Sequence, residues 1–254
     1  MSIQKRNFMP VYQPDHVEYA IDTGRIQIAH EDGQLLPAYW AHPSSGGLFP
    51  GIVLAHDWWG LTDTERHLAN LLAQSGYYVI APDLFDGRVA ATPQEAYALV
   101  EALGNGYPLV DAALRVLESH HRCNRCVAAV GLGLGGALAL QAALARPDLE
   151  AAVAFYGFPQ RFLGSFAQAH APILAIYGSA EPHVPPDVLA LFRAELADAS
   201  LPHEWLTIDG AGRDLFAPGE TPEAIDHARQ AWSGMLAFLD RHLEAPSRPP
   251  KEAS

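Results

Sequence analysis

"CVAAVGLGLGGALALQ", residues 126–141, joins a strand-like apolar run to a helix-like one through four glycines. No charge falls between Arg125 and Arg146, and about 20 apolar residues is the length of a membrane span. Glycines interrupt the centre of this stretch, however, and an α/β pattern surrounds it. A buried parallel strand running into a buried helix gives the same continuous apolar reading. Gly131, Gly133 and Gly136 also satisfy G-x-G-x-x-G between a strand and a helix, where amides could hold a pyrophosphate. A dinucleotide site needs an acidic residue at the end of the next strand, but AAVAFYG ends in Phe155, Tyr156 and Gly157. The motif also lies deep in the chain and not on its first βαβ unit. The third pattern is the nucleophile elbow, G-x-Nuc-x-G-(G), a sharp turn that presents one side chain above a sheet. Gly131, Gly135 and Gly136 fill its outer places, and the residue presented is Gly133.

Outward from this turn, short β-like runs alternate with amphipathic helical ones, which predicts an α/β fold with a mostly parallel central sheet covered on both faces. About eight strands are expected: Arg25–Ala29, Leu36–Ala41, Gly51–Ala55, Tyr77–Ala81, Val127–Gly131, Ala151–Tyr156, Pro172–Tyr177 and Glu204–Ile208. Thr62 with Glu65, and Thr92 with Glu95 after Pro93, read as capping boxes that open helices. The first of these helices carries Leu68, Leu71 and Leu72 at core spacing and stops at Gly76. Thr221 and Pro222 open a last helix with an apolar stripe of Ala228, Ala231, Trp232, Met235 and Phe238. The expected organisation is an N-terminal extension over 1–24, one α/β domain over 25–243, and a Pro-rich polar tail over 244–254 that reads as disordered.

Composition narrows the functions. The 254 residues carry 16 Lys and Arg against 29 Asp and Glu, a formal net charge of −13. That balance repels a phosphate backbone and an anionic bilayer, so neither nucleic acid nor membrane is an expected partner. The first 20 residues lack the apolar stretch of a secretory signal, and the expected compartment is the cytoplasm. The only cysteines, Cys123 and Cys126, follow His120 and His121 and could be pictured around zinc. With no second ligand pair they read as a loop cysteine and a buried strand cysteine. No metal and no cofactor is expected.

PAYWAHP, GIVLAHDWWGL, YYVIAPDLFDGR, VGLGLGG, FYG, YGSAEPHVPP and DGAGRDLF follow one another in an order and spacing that resembles the dienelactone hydrolase family of α/β-hydrolases, over residues 25–243. The resemblance implies a single-domain α/β-hydrolase fold and, in typical members, a Cys or Ser, Asp and His triad that hydrolyses small esters or lactones. Carried over position by position, the nucleophile is Gly133, the acid is Glu181 and the general base is Arg213. Glycine has no nucleophilic atom, and arginine stays protonated near neutrality. The resemblance also places an oxyanion hole at the backbone N–H groups of Trp58 and Leu134, which the lost side chains do not affect.

Asp57 stands where the family has Glu, and Arg88 lies in a segment that binds a substrate carboxylate in some members. Two readings follow for function. In one, Cys/Ser hydrolysis is lost and Asp57, Arg88 and Arg213 are candidates to bind a small carboxylate or other anion. In the other, a carboxymethylenebutenolidase-like hydrolase of small esters or lactones works through non-standard residues, with His56, Asp57, His183 and Asp214 near the cleft. Glu181 and Arg213 are expected to form a salt bridge in either case.

Overall fold

The computed structural model describes residues 19–30, 33–213, 215–216 and 221–243. The tail over 244–254 and most of the N-terminal extension lie outside them. Among the described residues eight strands are formed: β1 (Ile21–Ala29), β2 (Leu35–Pro43), β3 (Phe49–Ala55), β4 (Tyr78–Pro82), β5 (Cys123–Leu132), β6 (Ala151–Phe155), β7 (Ile173–Gly178) and β8 (Glu204–Ile208). Six helices lie among the described residues: α1 (Asp63–Gln74), α2 (Pro93–Leu103), α3 (Tyr107–Ser119), α4 (Leu134–Ala145), α5 (Pro186–Asp198) and α6 (Pro222–Leu243).

They make one mixed sheet in the order β1-β2-β4-β3-β5-β6-β7-β8. Pairings β1/β2 and β2/β4 are antiparallel, and the rest are parallel. Every residue of β6 and β7, and β5 from Cys126 to Leu132, is buried, as strands covered on both faces must be. The charge-free stretch is thus accounted for as β5 followed by the 12-residue α4. Among the described residues no helix is long and apolar enough to cross a membrane.

Local signals place most elements, with the main differences in β1, β5, α2 and α6; β5 begins at Cys123, four residues before the expected Val127, so Cys123 starts the strand and does not lie in a loop. The first strand begins four residues earlier than expected, because Ile21 to Gly24 continue the pairing with β2. At α1 the capping box is complete: Thr62 N–H donates to Glu65 Oε2, and Thr62 Oγ1 accepts from Thr64 N–H. At α2 only half of the expected box forms. Thr92 Oγ1 accepts from Glu95 N–H, but the Glu95 carboxylate accepts from Ala91 N–H, one residue upstream of the cap. In α6, Leu236 and Leu239 join the buried stripe while Ala228 is only half-buried.

Strand β3 is followed in the chain by β4 on one side, and the chain then crosses back to β5 on the other. Such a reversal opens a crevice beyond the carboxyl ends of the two strands, the usual position of a ligand site in open α/β sheets. Ala55 of β3 is in register with Gly131 of β5, so the segments after them, 56–59 and 132–136, meet there.

Candidate functional site

The turn after β5 is as tight as its glycines suggested. A Cβ on Gly131 would lie 2.0 Å from the Gly135 carbonyl oxygen, and one on Gly135 would lie 2.1 Å from that of Ala55. Any side chain there would push the turn and helix α4 off the sheet. Gly133 sits between them at φ 50° and ψ −104° as the cap of α4, a backbone state that side-chain-bearing residues rarely adopt.

The space over Gly133 is not vacant. A Cβ there would lie 2.0 Å from Asp57 Oδ1 and 2.4 Å from Arg213 Nη2. Asp57, just past the end of β3, turns its carboxylate across the crevice so that Oδ1 accepts from Trp58 N–H at 2.8 Å and from Leu134 N–H at 2.9 Å. Those two amides therefore converge on one point, and an internal carboxylate oxygen occupies it. The N-terminal end of α4 adds its partial positive charge to the same point.

Arg213, in the loop after β8, closes the arrangement. Its Nη1 donates to Glu181 Oε1 at 3.2 Å and to the Tyr156 carbonyl at 3.1 Å, while its Nε faces Asp57 Oδ2 at 3.6 Å. The guanidinium is sandwiched by aromatic faces, 4.7 Å from the Tyr156 ring centre and 4.6 Å from that of Phe158, so cation–π attraction supplements the ion pairs. Side-chain exposure is 8% for Arg213, 8% for Asp57 and 1% for Glu181. The second Glu181 oxygen, Oε2, is buried with no hydrogen-bond partner, and Oε1 also accepts from His183 N–H at 2.8 Å.

Two carboxylates thus flank one guanidinium. Burial pushes the Asp57 carboxyl above its ordinary range, although the Arg213 charge and the Leu134 and Trp58 amides pull it down. A carboxyl that holds its proton more tightly when folded stabilises the fold fully below about pH 4, and that contribution is lost as pH rises through the higher folded value. The stability advantage of the native chain over Asp57→Asn is therefore expected to be larger at pH 4 than at pH 7. Urea unfolding of both proteins across this range measures it.

The remaining candidates separate clearly. His56 is fully buried; Leu84 N–H donates to its Nε2 at 3.0 Å, which puts the ring proton on Nδ1, 2.7 Å from the Asp57 carbonyl. Burial lowers its pKa, and both ring nitrogens are engaged in holding the 83–85 turn to the 56–57 turn. His183 is exposed, its ring 6.4 Å from that of Trp58. Arg88 is exposed, and its Nε donates to the Phe85 carbonyl in its own loop. Asp214 lies outside the described residues. Cys123 and Cys126 are free and buried, and burial raises both thiols.

Tyr156 and Phe158 were not singled out from the sequence. Tyr156 has φ 40°, which turns the chain at the end of β6 so that its carbonyl and ring both meet Arg213. The only sequence trace of this is the FYG triplet, whose aromatic residues read equally well as core.

The sheet order, the elbow turn and a crevice at the reversal between β3 and β5 define an α/β-hydrolase-type protein. The description "Dienelactone hydrolase family" matches residues 36–243, and the chain belongs to that family. It is 26% identical over 241 residues to "Putative carboxymethylenebutenolidase" of Yersinia pestis, covering 88% of this chain and 90% of that protein. It is 31% identical over 147 residues to "Protein usf" of Aquifex pyrophilus, covering 54% of this chain and 63% of that one, so this match spans less than two thirds of the relative. Among solved structures, "Putative Dienelactone Hydrolase" from Klebsiella pneumoniae superposes with a TM-score of 0.74 at 27% identity, covering 87% of this chain and 99% of that one.

Proposed function

We propose that this chain is a dienelactone hydrolase family protein that has given up Cys- or Ser-dependent hydrolysis, with Gly133, Glu181 and Arg213 at the triad positions. One observation carries the reading: the Asp57 carboxylate and the Arg213 guanidinium occupy the space a nucleophilic side chain at 133 would need. An acyl substrate would find neither a nucleophile at the elbow nor free amides for its carbonyl oxygen, because Asp57 Oδ1 holds both. Hydrolysis by an activated water in place of a covalent intermediate requires a base. His56 does not serve, since both its nitrogens are engaged.

The same arrangement bears on ligand binding. Trp58 and Leu134 amides, Arg213 and the start of α4 form a seat for a carboxylate, and Asp57 supplies one internally. An external carboxylate then enters only when that side chain is removed or displaced. Native protein is expected to release p-nitrophenol from p-nitrophenyl acetate no faster than buffer does, and to show no acetate binding by calorimetry at millimolar concentration. Asp57→Gly is expected to bind acetate with a Kd of about 1 mM, roughly 4 kcal/mol. Ester or lactone turnover by the native chain that persists after Arg213→Met would sink the reading.

A further inference from the structure

The geometry points to a second binding site, for a small phosphate monoester, on the face of the sheet where α1 covers β1 and β2. A cavity of about 250 Å³ lies there, below the roughly 300–1,000 Å³ of sites for drug-sized ligands. None of residues 57, 133, 181 and 213 lines it. Its floor follows from strand register. Tyr39 Oη donates to Asn70 Oδ1 on α1 at 2.8 Å, which fixes the face of β2 that carries residue 39. Residues directly opposite in an antiparallel pair share a face, and so do residues two apart in one strand. Arg25 is paired with Tyr39 and Gln27 with Pro37, so all four stand on the side covered by α1. Arg66, on α1 itself, lines the same cavity. Two arginines from different elements therefore border one small space.

Among the described residues Arg25 makes no ion pair, and Arg66 engages only Asp63, through Nη1 and at the exposed rim. One acid, Asp83, is in the lining, but its oxygens serve its own turn: Oδ1 accepts from Phe85 N–H at 3.3 Å and Oδ2 from Gly87 N–H at 3.0 Å. Leu84 N–H donates to His56 Nε2 at 3.0 Å and Ala90 N–H to the Trp59 carbonyl at 2.9 Å. These bonds hold the 83–90 segment as a fixed wall, so the cavity is formed before a ligand arrives, which lowers the cost of binding. Two arginines can fork onto the oxygens of one phosphate, and their two charges match the roughly −1.5 to −2 of a monoester near pH 7. Gln27 adds a neutral donor on the same face. Leu61 and Val89 complete the lining with apolar surface, which suits a small organic group on the ester oxygen. The net charge of −13 opposes this little, because charges beyond about 8 Å are screened at physiological salt. Acetate has one charge and no body to cover Leu61 and Val89, so it leaves most of these contacts unmade.

The test is calorimetric titration of the full chain with phenyl phosphate, and with inorganic phosphate as the head group alone. Native protein is expected to bind phenyl phosphate with a Kd of about 0.1–1 mM, and inorganic phosphate about tenfold more weakly because the organic group is missing. Arg25→Gln and Arg66→Gln should each weaken phenyl phosphate by about tenfold or more, as loss of a charged hydrogen bond does. Arg161→Gln, which removes an exposed arginine after β6, should leave its affinity unchanged. Arg25 is exposed and Arg66 half-buried, so both variants are expected to fold, and far-UV circular dichroism checks this. Vesicles containing phosphatidic acid form a second arm and are expected not to bind, since an anionic surface repels this chain; binding there that Arg25→Gln abolishes would assign the site to a lipid headgroup and overturn the small-ligand reading. The inference also falls if native protein takes up no phenyl phosphate at about 10 mM, well above the expected Kd, if inorganic phosphate binds equally well, or if binding survives both arginine substitutions. The ester assay is independent of these titrations, so a negative result here leaves the loss of Cys/Ser hydrolysis standing.

Discussion

Gly133→Cys alone is expected to restore no esterase activity and to lower stability by about 2–4 kcal/mol. A non-glycine residue at φ 50° and ψ −104° costs about 1–3 kcal/mol in backbone strain. Its Cβ would also stand 2.0 Å from Asp57 Oδ1 and 2.4 Å from Arg213 Nη2, so the carboxylate must leave its two amides and the guanidinium its carboxylate. The thiol would then face a cation and no base. On the proposed reading, esterase activity is expected only when three changes are made together: Gly133→Cys for the nucleophile, Arg213→His for the base, and Asp57→Gly to empty the amide seat. The triple variant is expected to hydrolyse p-nitrophenyl acetate at least about a hundredfold faster than the native chain, since nucleophile, base and oxyanion donors each act only in the presence of the others. Comparing the single, double and triple variants for p-nitrophenol release, and for thiol labelling with iodoacetamide, reads out each stage. A fully active Gly133→Cys/Arg213→His double variant that keeps Asp57 would show that the carboxylate does not block the site.

Arg213→Met is the second large effect, with an expected loss of about 3–5 kcal/mol at pH 7. The guanidinium is the common partner of two buried carboxylates, and removing it leaves both without a counter-charge. Methionine fills much of the slot between Tyr156 and Phe158, so the loss is mainly electrostatic. That assignment has a sign that can be checked. Without the cation the Asp57 carboxyl loses the attraction that pulls its pKa down and holds its proton to higher pH, where it is neutral. The deficit relative to native is therefore expected to shrink as pH falls from 7 to 4. Adding Glu181→Gln should recover part of it at pH 7 by removing one buried charge. Urea unfolding at both pH values tests the two statements. A deficit that is the same at pH 4 and pH 7 would instead assign the loss to packing.

The strands were legible because β5, β6 and β7 are buried on both faces and their apolar runs are continuous. The helix starts were legible where a side chain caps its own turn, as Thr62 does with Glu65. The elbow could be read from spacing because Gly131 and Gly135 are dictated by backbone contacts within a few residues or across one strand pair. The partners of Arg213 were legible only in part. Glu181 was named as its counter-ion, but Tyr156 and Phe158 were not, since aromatic residues after a buried strand give the same signal whether they pack in the core or clamp a cation.

By itself the sequence determined an α/β chain with a glycine at the apex of a tight strand-to-helix turn, because periodicity, capping and turn chemistry are local properties. Only the tertiary structure decided what stands in the space over Gly133. Residues 57, 133, 181 and 213 meet because parallel pairing aligns Ala55 with Gly131 and carries the loops after β7 and β8 to the same edge. The reach of one side chain then settles the matter: the Asp57 carboxylate ends on the Trp58 and Leu134 amides, and no spacing in the sequence encodes that distance. GLGLGG is accordingly an elbow whose apex glycine makes room for a carboxylate from another strand.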